Sequence, residues 1–382
     1  MIRRKEDGMK EQKWQKPEEI KELRILGRTV KRHPLPLFWT GSGFECNYDG
    51  TELWCEFESD YELYEQWIAV FVNGALMSRL MLNKGRQQVC LYRNMGTRKV
   101  NHIKVVKEVQ AMPGDPAAYL AICRLSGDGA FHPLPEPACR IEFIGDSITS
   151  GEGSYGSTVE QDWIAMWFSG SRTFPWFVAE RLNAEYRVFS QSGYGVYCAY
   201  DNNLDHAMPL YYEQVCGVLE GERNTALGAK ERYEFSYWQP DYIVINLGTN
   251  DGGAFHNPEW QDEATGRRNK MEVGPDGLPE KECLEKVRHA VTEFLCMVRK
   301  YNPEAQILWA YGLMGTVVES AITEGIEDFR KTSGDTKVHY IRLDEIKGEA
   351  VGARSHPGEL GHRAAAESIC RVIEGLKSNE KE

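Results

Sequence analysis

No apolar run in this sequence approaches the roughly 20 residues needed to cross a bilayer, which excludes a membrane-spanning helix. There is no Cys-x-x-Cys pair and no His/Cys cluster at metal-ligand spacing, so no metal and no organic cofactor is expected. An excess of positive charge is also missing. The formal net charge of -12 gives neither nucleic acid nor an anionic membrane a basic face to bind. The start, Met1-Ile2-Arg3-Arg4-Lys5-Glu6-Asp7-Gly8, is charged with no apolar stretch behind it, so no secretory signal is expected. The ten cysteines stand singly from Cys46 to Cys370 and read as reduced thiols of a cytoplasmic protein, many of them in the core.

What is present describes a soluble globular chain, 42% hydrophobic and 27% charged, whose 382 residues call for two domains. Residues 1–25 are polar and read as a partly ordered tail. From 26 to 137 the runs are short and alternate. Leu53, Cys55 and Phe57 fall on one side of a strand, and Trp67-Ile68-Ala69-Val70-Phe71-Val72 meets Asn73-Gly74, a strong hairpin signal. Further strands at 89–92, 103–106 and 119–123 complete an expected all-β sandwich of jelly-roll type. Pro133-Leu134-Pro135-Glu136-Pro137 is a proline-rich joint, after which strands alternate with helical patterns through 138–382. Strands are expected near 141–144, 186–190, 242–247, 305–310 and 338–343, with helices near 173–182, 280–300, 317–331 and 358–376. Alternation of this kind implies a parallel sheet covered by helices, with its site at the C-terminal ends of the strands.

Three stretches break at such ends. Ile141-Glu142-Phe143-Ile144 runs into Gly145-Asp146-Ser147, Val188-Phe189-Ser190 into Gln191-Ser192-Gly193-Tyr194-Gly195, and Tyr242-Ile243-Val244-Ile245-Asn246-Leu247 into Gly248-Thr249-Asn250-Asp251. A serine on a tight bend after a buried strand holds its hydroxyl in the open, where a nucleophile belongs. Near the C-terminus, Ser355-His356-Pro357-Gly358 opens a helical segment.

At these four points the sequence resembles the SGNH hydrolases, the GDSL esterase and lipase superfamily. The resemblance implies an α/β fold with a flavodoxin-like parallel sheet and helices on both faces. The β region ahead of it narrows the resemblance to the two-domain carbohydrate esterases of family two, as do Trp39-Thr40-Gly41-Ser42-Gly43-Phe44 and the turn at Ser192-Gly193-Tyr194-Gly195. It implies Ser147 as nucleophile, His356 as base, and the main-chain N–H of Ser147 and Gly193 with the Asn250 amide as oxyanion donors. Elementary chemistry agrees: glycine lets main chain approach a substrate, and asparagine donates without a charge to neutralise. Bland roles compete for each, a turn serine, a positive φ at Gly193 and a bracing amide at Asn250. His362 reads as a packing residue, and Asp146 and Asp251 as loop braces.

One departure stands out. Many SGNH enzymes carry an Asp three residues before the His, and here that position is Ala353. A Ser147–His356 dyad is therefore expected, its imidazole oriented by a main-chain carbonyl or another carboxylate, with Glu349 and Glu359 the nearby acids to test. Tyr155, Trp163, Trp167 and Tyr194 suggest an aromatic rim for sugar rings, against core packing, which is favoured for Trp176. Residues 252–282, charged and turn-rich, read either as a rim loop or as a solvated insertion.

The resemblance implies an acetyl esterase acting on acetylated plant oligosaccharides. A general short-chain acyl esterase, lipase or thioesterase is the rival enzyme, and a catalytically weak carbohydrate-binding protein the rival of another class. The number of subunits stays open.

Overall fold

The protein was analysed as a computed structural model describing residues 13–96 and 99–379. Among the described residues ten strands precede the proline-rich joint: β1 (Arg24–Leu26), β2 (Leu35–Pro36), β3 (Gly43–Tyr48), β4 (Leu53–Asp60), β5 (Gln66–Val72), β6 (Ala75–Leu82), β7 (Gly85–Tyr92), β8 (Asn101–Lys107), β9 (Tyr119–Gly127) and β10 (Phe131–His132). They form two antiparallel sheets, one ordered β1-β3-β8-β5-β6 with β10 beside β3, the other β2-β9-β4-β7. Inward residues of both, among them Phe44, Val70 and Ile103 from the first and Cys55, Phe57 and Ile122 from the second, close a single core. The hairpin read from Asn73-Gly74 is present, with both residues at positive φ as its tight turn requires.

The stretch expected as a polar tail is built in over its described part. Gln15 pairs with Leu125, and Ile20 is buried in the sandwich core. Residues 1–12 of that stretch lie outside the described residues.

The second half runs β11 (Cys139–Gly145), α1 (Ser147–Ser150), α2 (Phe174–Leu182), β12 (Ala184–Ser190), α3 (Glu222–Ala226), β13 (Tyr242–Asn246), α4 (Thr249–Gly253), β14 (Trp260–Gln261), β15 (Arg268–Asn269), α5 (Lys281–Tyr301), β16 (Gln306–Tyr311), α6 (Glu319–Ser333), β17 (Val338–Arg342) and α7 (Glu359–Asn379). The parallel sheet is ordered β12-β11-β13-β16-β17, the 2-1-3-4-5 order of flavodoxin-like folds. Its strands are apolar on both faces because helices cover both. Ile243, Ile245 and Ile307 pack with Val291 and Phe294 of α5 and Ile326 of α6. Phe143, Val188 and Val244 pack with Phe174 of α2 and Ile369 of α7.

The two halves share core. Phe71 of the sandwich stacks on Trp176 of α2 with ring centroids 4.5 Å apart, which makes Trp176 a packing residue. Arg28 is fully buried, donates to Glu142 of β11 at 2.9 and 3.0 Å, and lies over the rings of Phe189, Tyr212 and Tyr233. A buried arginine needs such a carboxylate, and the pair fastens the segment after β1 to the back of the catalytic sheet.

Candidate active site

Parallel register decides where the site forms. Gly145 of β11 lies beside Ser190 of β12 on one side and Asn246 of β13 on the other. The three turns that follow, carrying Ser147, Gly193 and Asn250, therefore leave the sheet at one level. Gly145 is required there: a Cβ on it would sit 2.0 Å from the Thr149 hydroxyl and 2.9 Å from the Asn246 carbonyl, because α1 folds straight back on the strand. Asp146 caps α1, its Oδ1 accepting from the Ile148 N–H at 3.0 Å. Ser147 is the first residue of that helix, where an N–H has no acceptor within the helix.

Ser147 Oγ lies 2.9 Å from His356 Nε2, and His356 Nδ1 lies 2.9 Å from the Arg354 carbonyl oxygen. A carbonyl only accepts, so Nδ1 carries the proton and Nε2 is left to accept from the serine hydroxyl. The main chain thus does the orienting at Nδ1. Ala353 is fully buried, Glu349 is exposed, and Glu359 pairs with Arg363 and Arg172 rather than with the imidazole.

The loop that presents His356 is pinned. Gly352 N–H donates to the His356 carbonyl, Val351 pairs with Pro357, and both Arg354 and Ser355 hold left-handed backbone at φ 55° and 58°. That conformation costs an L-residue about 1–2 kcal/mol, so side-chain anchors must hold it. Arg354 supplies them, donating from Nε to Glu152 Oε1 at 2.8 Å and from Nη1 to the Gln161 carbonyl at 2.6 Å. Gly153 lets the nucleophile loop and the histidine loop touch. Its φ is +72°, and a Cβ there would meet the Ala353 carbonyl at 2.2 Å and His356 Cβ at 2.8 Å.

On the oxyanion side Gly193 adopts φ 83°. Asn250 Nδ2 donates to the Tyr194 carbonyl at 2.9 Å, which leaves its second amide hydrogen for the cleft. Asp251 accepts from the N–H groups of Val196, Tyr197 and Cys198, and burial pushes its carboxyl up against those bonds. It braces the turn and does not reach the dyad. Burial likewise lifts the Asp146 carboxyl to about 8 and lowers His362 to about 3. His362 accepts from the Phe174 N–H and stacks on that ring, a packing role.

Ser147, Gly193, Asn250 and His356 line one cavity of about 840 Å³. Of the four aromatic residues expected at its rim, two are there. Trp163 lines it while donating its indole N–H to Glu152, and Tyr194 lines it with its ring stacked on His206. Tyr155 and Trp167 do not. The Tyr155 ring is held by the guanidiniums of Arg79, from the sandwich, and Arg172, 4.3 and 3.9 Å from its centroid, and Trp167 packs on Gly156 of its own loop. Residues 252–282 are not a rim loop either, since none lines the cavity. The buried Asn202 ties them down, donating to the carbonyls of Ala254 and Pro258 and accepting from the Met271 N–H.

Sequence reasoning passed over three residues. Glu152, nearly buried, sits within 3.8 Å of His356 Nε2. It stands between two glycines five positions after the nucleophile, a signal that could have been read. Tyr200, 51% exposed, lies over the Gly193 turn, its N–H donating to the Gly193 carbonyl. Gln110, fully buried in the segment after β8, accepts from Ser192 N–H at 2.8 Å and Ser192 Oγ at 3.0 Å, bringing the sandwich half to the oxyanion turn. No local pattern marks it.

Among the described residues no helix is long and apolar enough to cross a membrane, and no group of three or more His, Cys, Asp or Glu is placed to hold a metal ion.

Residues 143–364 match the GDSL-like lipase/acylhydrolase family. The chain is 40% identical, with a TM-score of 0.94, to the structure of an acetyl xylan esterase (Est2A) from the rumen bacterium Butyrivibrio proteoclasticus, over 96% of this chain and 99% of that one. An active-site mutant of a family two carbohydrate esterase from Clostridium thermocellum is 25% identical with a TM-score of 0.75, over 92% and 98%. The cellulase/esterase CelE of Acetivibrio thermocellus is 26% identical over 344 residues, 88% of this chain. The chain spans only 37% of that protein's length.

Proposed function

The chain belongs to the GDSL-like lipase/acylhydrolase family, and from that we propose that it is a serine O-acetyl esterase of acetylated hemicellulose oligosaccharides, built on xylose or mannose. It is a carboxylic ester hydrolase, and the sugar substrate is the part the cavity must argue. The observation that carries the reading is the hydrogen-bonded pair of Ser147 Oγ and His356 Nε2, with Nδ1 committed to a carbonyl.

Ser147 Oγ attacks the acetyl carbonyl carbon and gives its proton to His356 Nε2. Negative charge gathers on the carbonyl oxygen, where the N–H groups of Ser147 and Gly193 and the free amide hydrogen of Asn250 converge. The tetrahedral species collapses, the sugar oxygen leaves with the proton from His356, and an acetyl ester remains on Ser147. Water, deprotonated by His356, repeats the sequence and releases acetate.

The cavity mixes aromatic with polar side chains. Trp163, Tyr200 and Tyr211 offer ring faces, while Asp201, His206 and Glu220 offer hydrogen bonds. Sugars need both, whereas a long acyl chain would favour an unbroken apolar channel. The similarity to an acetyl xylan esterase over nearly the whole chain supports the same substrate class. The ten unpaired cysteines support a reducing, intracellular location, which suits oligosaccharides taken up after larger polymers have been cut.

The test is to incubate the protein and its Ser147→Ala variant with acetylated xylo- and manno-oligosaccharides and with long-chain acyl esters, following products by mass. Serine-dependent loss of acetyl groups from the sugars is expected. Turnover confined to long-chain esters, or glycan binding with no turnover, would overturn the proposal.

A further inference from the structure

We infer that Glu152 is the positioning carboxylate of the dyad, taking over from within the nucleophile loop the work that Ala353 lacks the side chain to do; the inference rests on the Ser147–His356 reading above. Three observations meet in it. The first is location: its carboxylate is almost wholly buried and ties the nucleophile loop to the histidine loop and to Trp163. Oε1 accepts from Arg354 Nε at 2.8 Å and Oε2 accepts from Trp163 Nε1 at 3.1 Å.

The second is what Arg354 does. Its carbonyl is the group that fixes His356 Nδ1, and it does so from a segment in which Arg354 and Ser355 both hold left-handed backbone. The bond from Arg354 Nε to Glu152 is the buried end of the anchorage; the other end, on the Gln161 carbonyl, lies at the surface. Remove the carboxylate and the guanidinium loses its charged partner, so the loop can relax toward ordinary backbone and carry the carbonyl off Nδ1.

The third is charge. Glu152 Oε1 lies 3.8 Å from His356 Nε2. Burial alone would push its carboxyl up, yet His356, the nearby polar Ser192 side chain and the Arg354 guanidinium together hold it below the usual carboxylate range. Glu152 is therefore an anion beside the imidazole at the moment that ring takes the serine proton. An Asp on the Nδ1 side would orient the ring and stabilise the imidazolium with one group. Here the two tasks are divided: the Arg354 carbonyl orients, and Glu152 holds that carbonyl in place and contributes the negative charge.

The test uses Glu152→Gln, which keeps the shape and removes the charge, together with Glu152→Asp and Glu152→Ala. Two rates are read for each: inactivation by a fluorophosphonate serine probe, which depends on an activated Ser147 and not on any sugar, and turnover of an aryl acetate. For Glu152→Gln both the probe rate and kcat are expected to fall roughly ten- to hundredfold, the size of a lost charge-assisted hydrogen bond, with KM and the melting temperature little changed. Glu152→Asp is expected to recover part of the loss. A wild-type probe rate in Glu152→Gln would overturn the inference and leave the dyad standing. So would losses that merely track the melting temperature across all three variants. A wild-type protein that reacts with the probe but leaves acetylated sugars untouched would instead sink the substrate reading, with the role of Glu152 still measured.

Discussion

Replacing Gln110 by Met keeps the volume of a fully buried side chain and removes the one acceptor that holds the oxyanion turn from the sandwich side. Gln110 Oε1 receives both the N–H and the hydroxyl of Ser192, while its Nε2 finds no acceptor among the described residues, so nothing else depends on the carboxamide. The Ser192 hydroxyl is free to rotate toward water, and the orphaned group is the N–H. A buried amide left without an acceptor costs about 1–3 kcal/mol, and Ser192 is only half-buried, so water limits the loss to the lower part of that range. The turn should recover that energy by shifting, and the Gly193 N–H moves with it. Losing an oxyanion donor outright costs about 2.7–4 kcal/mol, which sets the ceiling. A kcat lower by roughly five- to a hundredfold follows for Gln110→Met, at nearly constant KM. Steady-state kinetics on an aryl acetate measures it, with thermal unfolding alongside. A variant with wild-type kcat, or one whose loss is matched by general unfolding, would refute the claim that the sandwich half supports the oxyanion turn.

Asn250→Ala should lower kcat by about a hundred- to a thousandfold with little change in KM, read by the same assay. Tyr200→Ala removes an exposed ring beside the cleft and should raise KM for an acetylated oligosaccharide by roughly three- to tenfold while leaving an aryl acetate unaffected. Asp146 gives a pH prediction. Its carboxyl ionises at about 8 in the folded chain and near 3.9 when unfolded, so between those values the folded state holds a proton that the unfolded state has lost. Its contribution to stability is complete below about pH 4 and declines as pH rises toward 8; Asp146→Asn lacks that slope. Relative to wild type, the variant's denaturation midpoint should therefore improve between pH 5 and pH 8, and a constant difference would count against a protonated Asp146.

The catalytic half was legible in the sequence because each element carried its own periodic signal. The face of Val287, Val291, Phe294 and Val298 became α5, and the buried runs at 141, 186 and 242 became neighbours in one parallel sheet. Ser147, His356, Gly193 and Asn250 stood at strand or helix ends, so their convergence followed from topology alone. Side-chain direction was not legible. Tyr155 and Trp167 lie in the same aromatic stretch as Trp163, yet Arg79 from the distant sandwich and Arg172 hold the Tyr155 ring, and Trp167 packs on Gly156. Gln110 and Arg28 escaped notice for the same reason, since their partners lie 82 and 114 positions away and leave no mark on neighbouring residues. Polar composition also misled over residues 13–25, where Gln15 and Ile20 add to the sandwich despite charged surroundings.

The claim beneath all of this is that Ser147 carries the acyl group. Acid-quenching the protein during turnover of an acetyl ester and weighing its peptides tests that directly. The account predicts one added acetyl group on the peptide containing Ser147 and none in Ser147→Ala, which should also lose turnover. Turnover persisting in Ser147→Ala, or an acetyl group found on another residue, would contradict it.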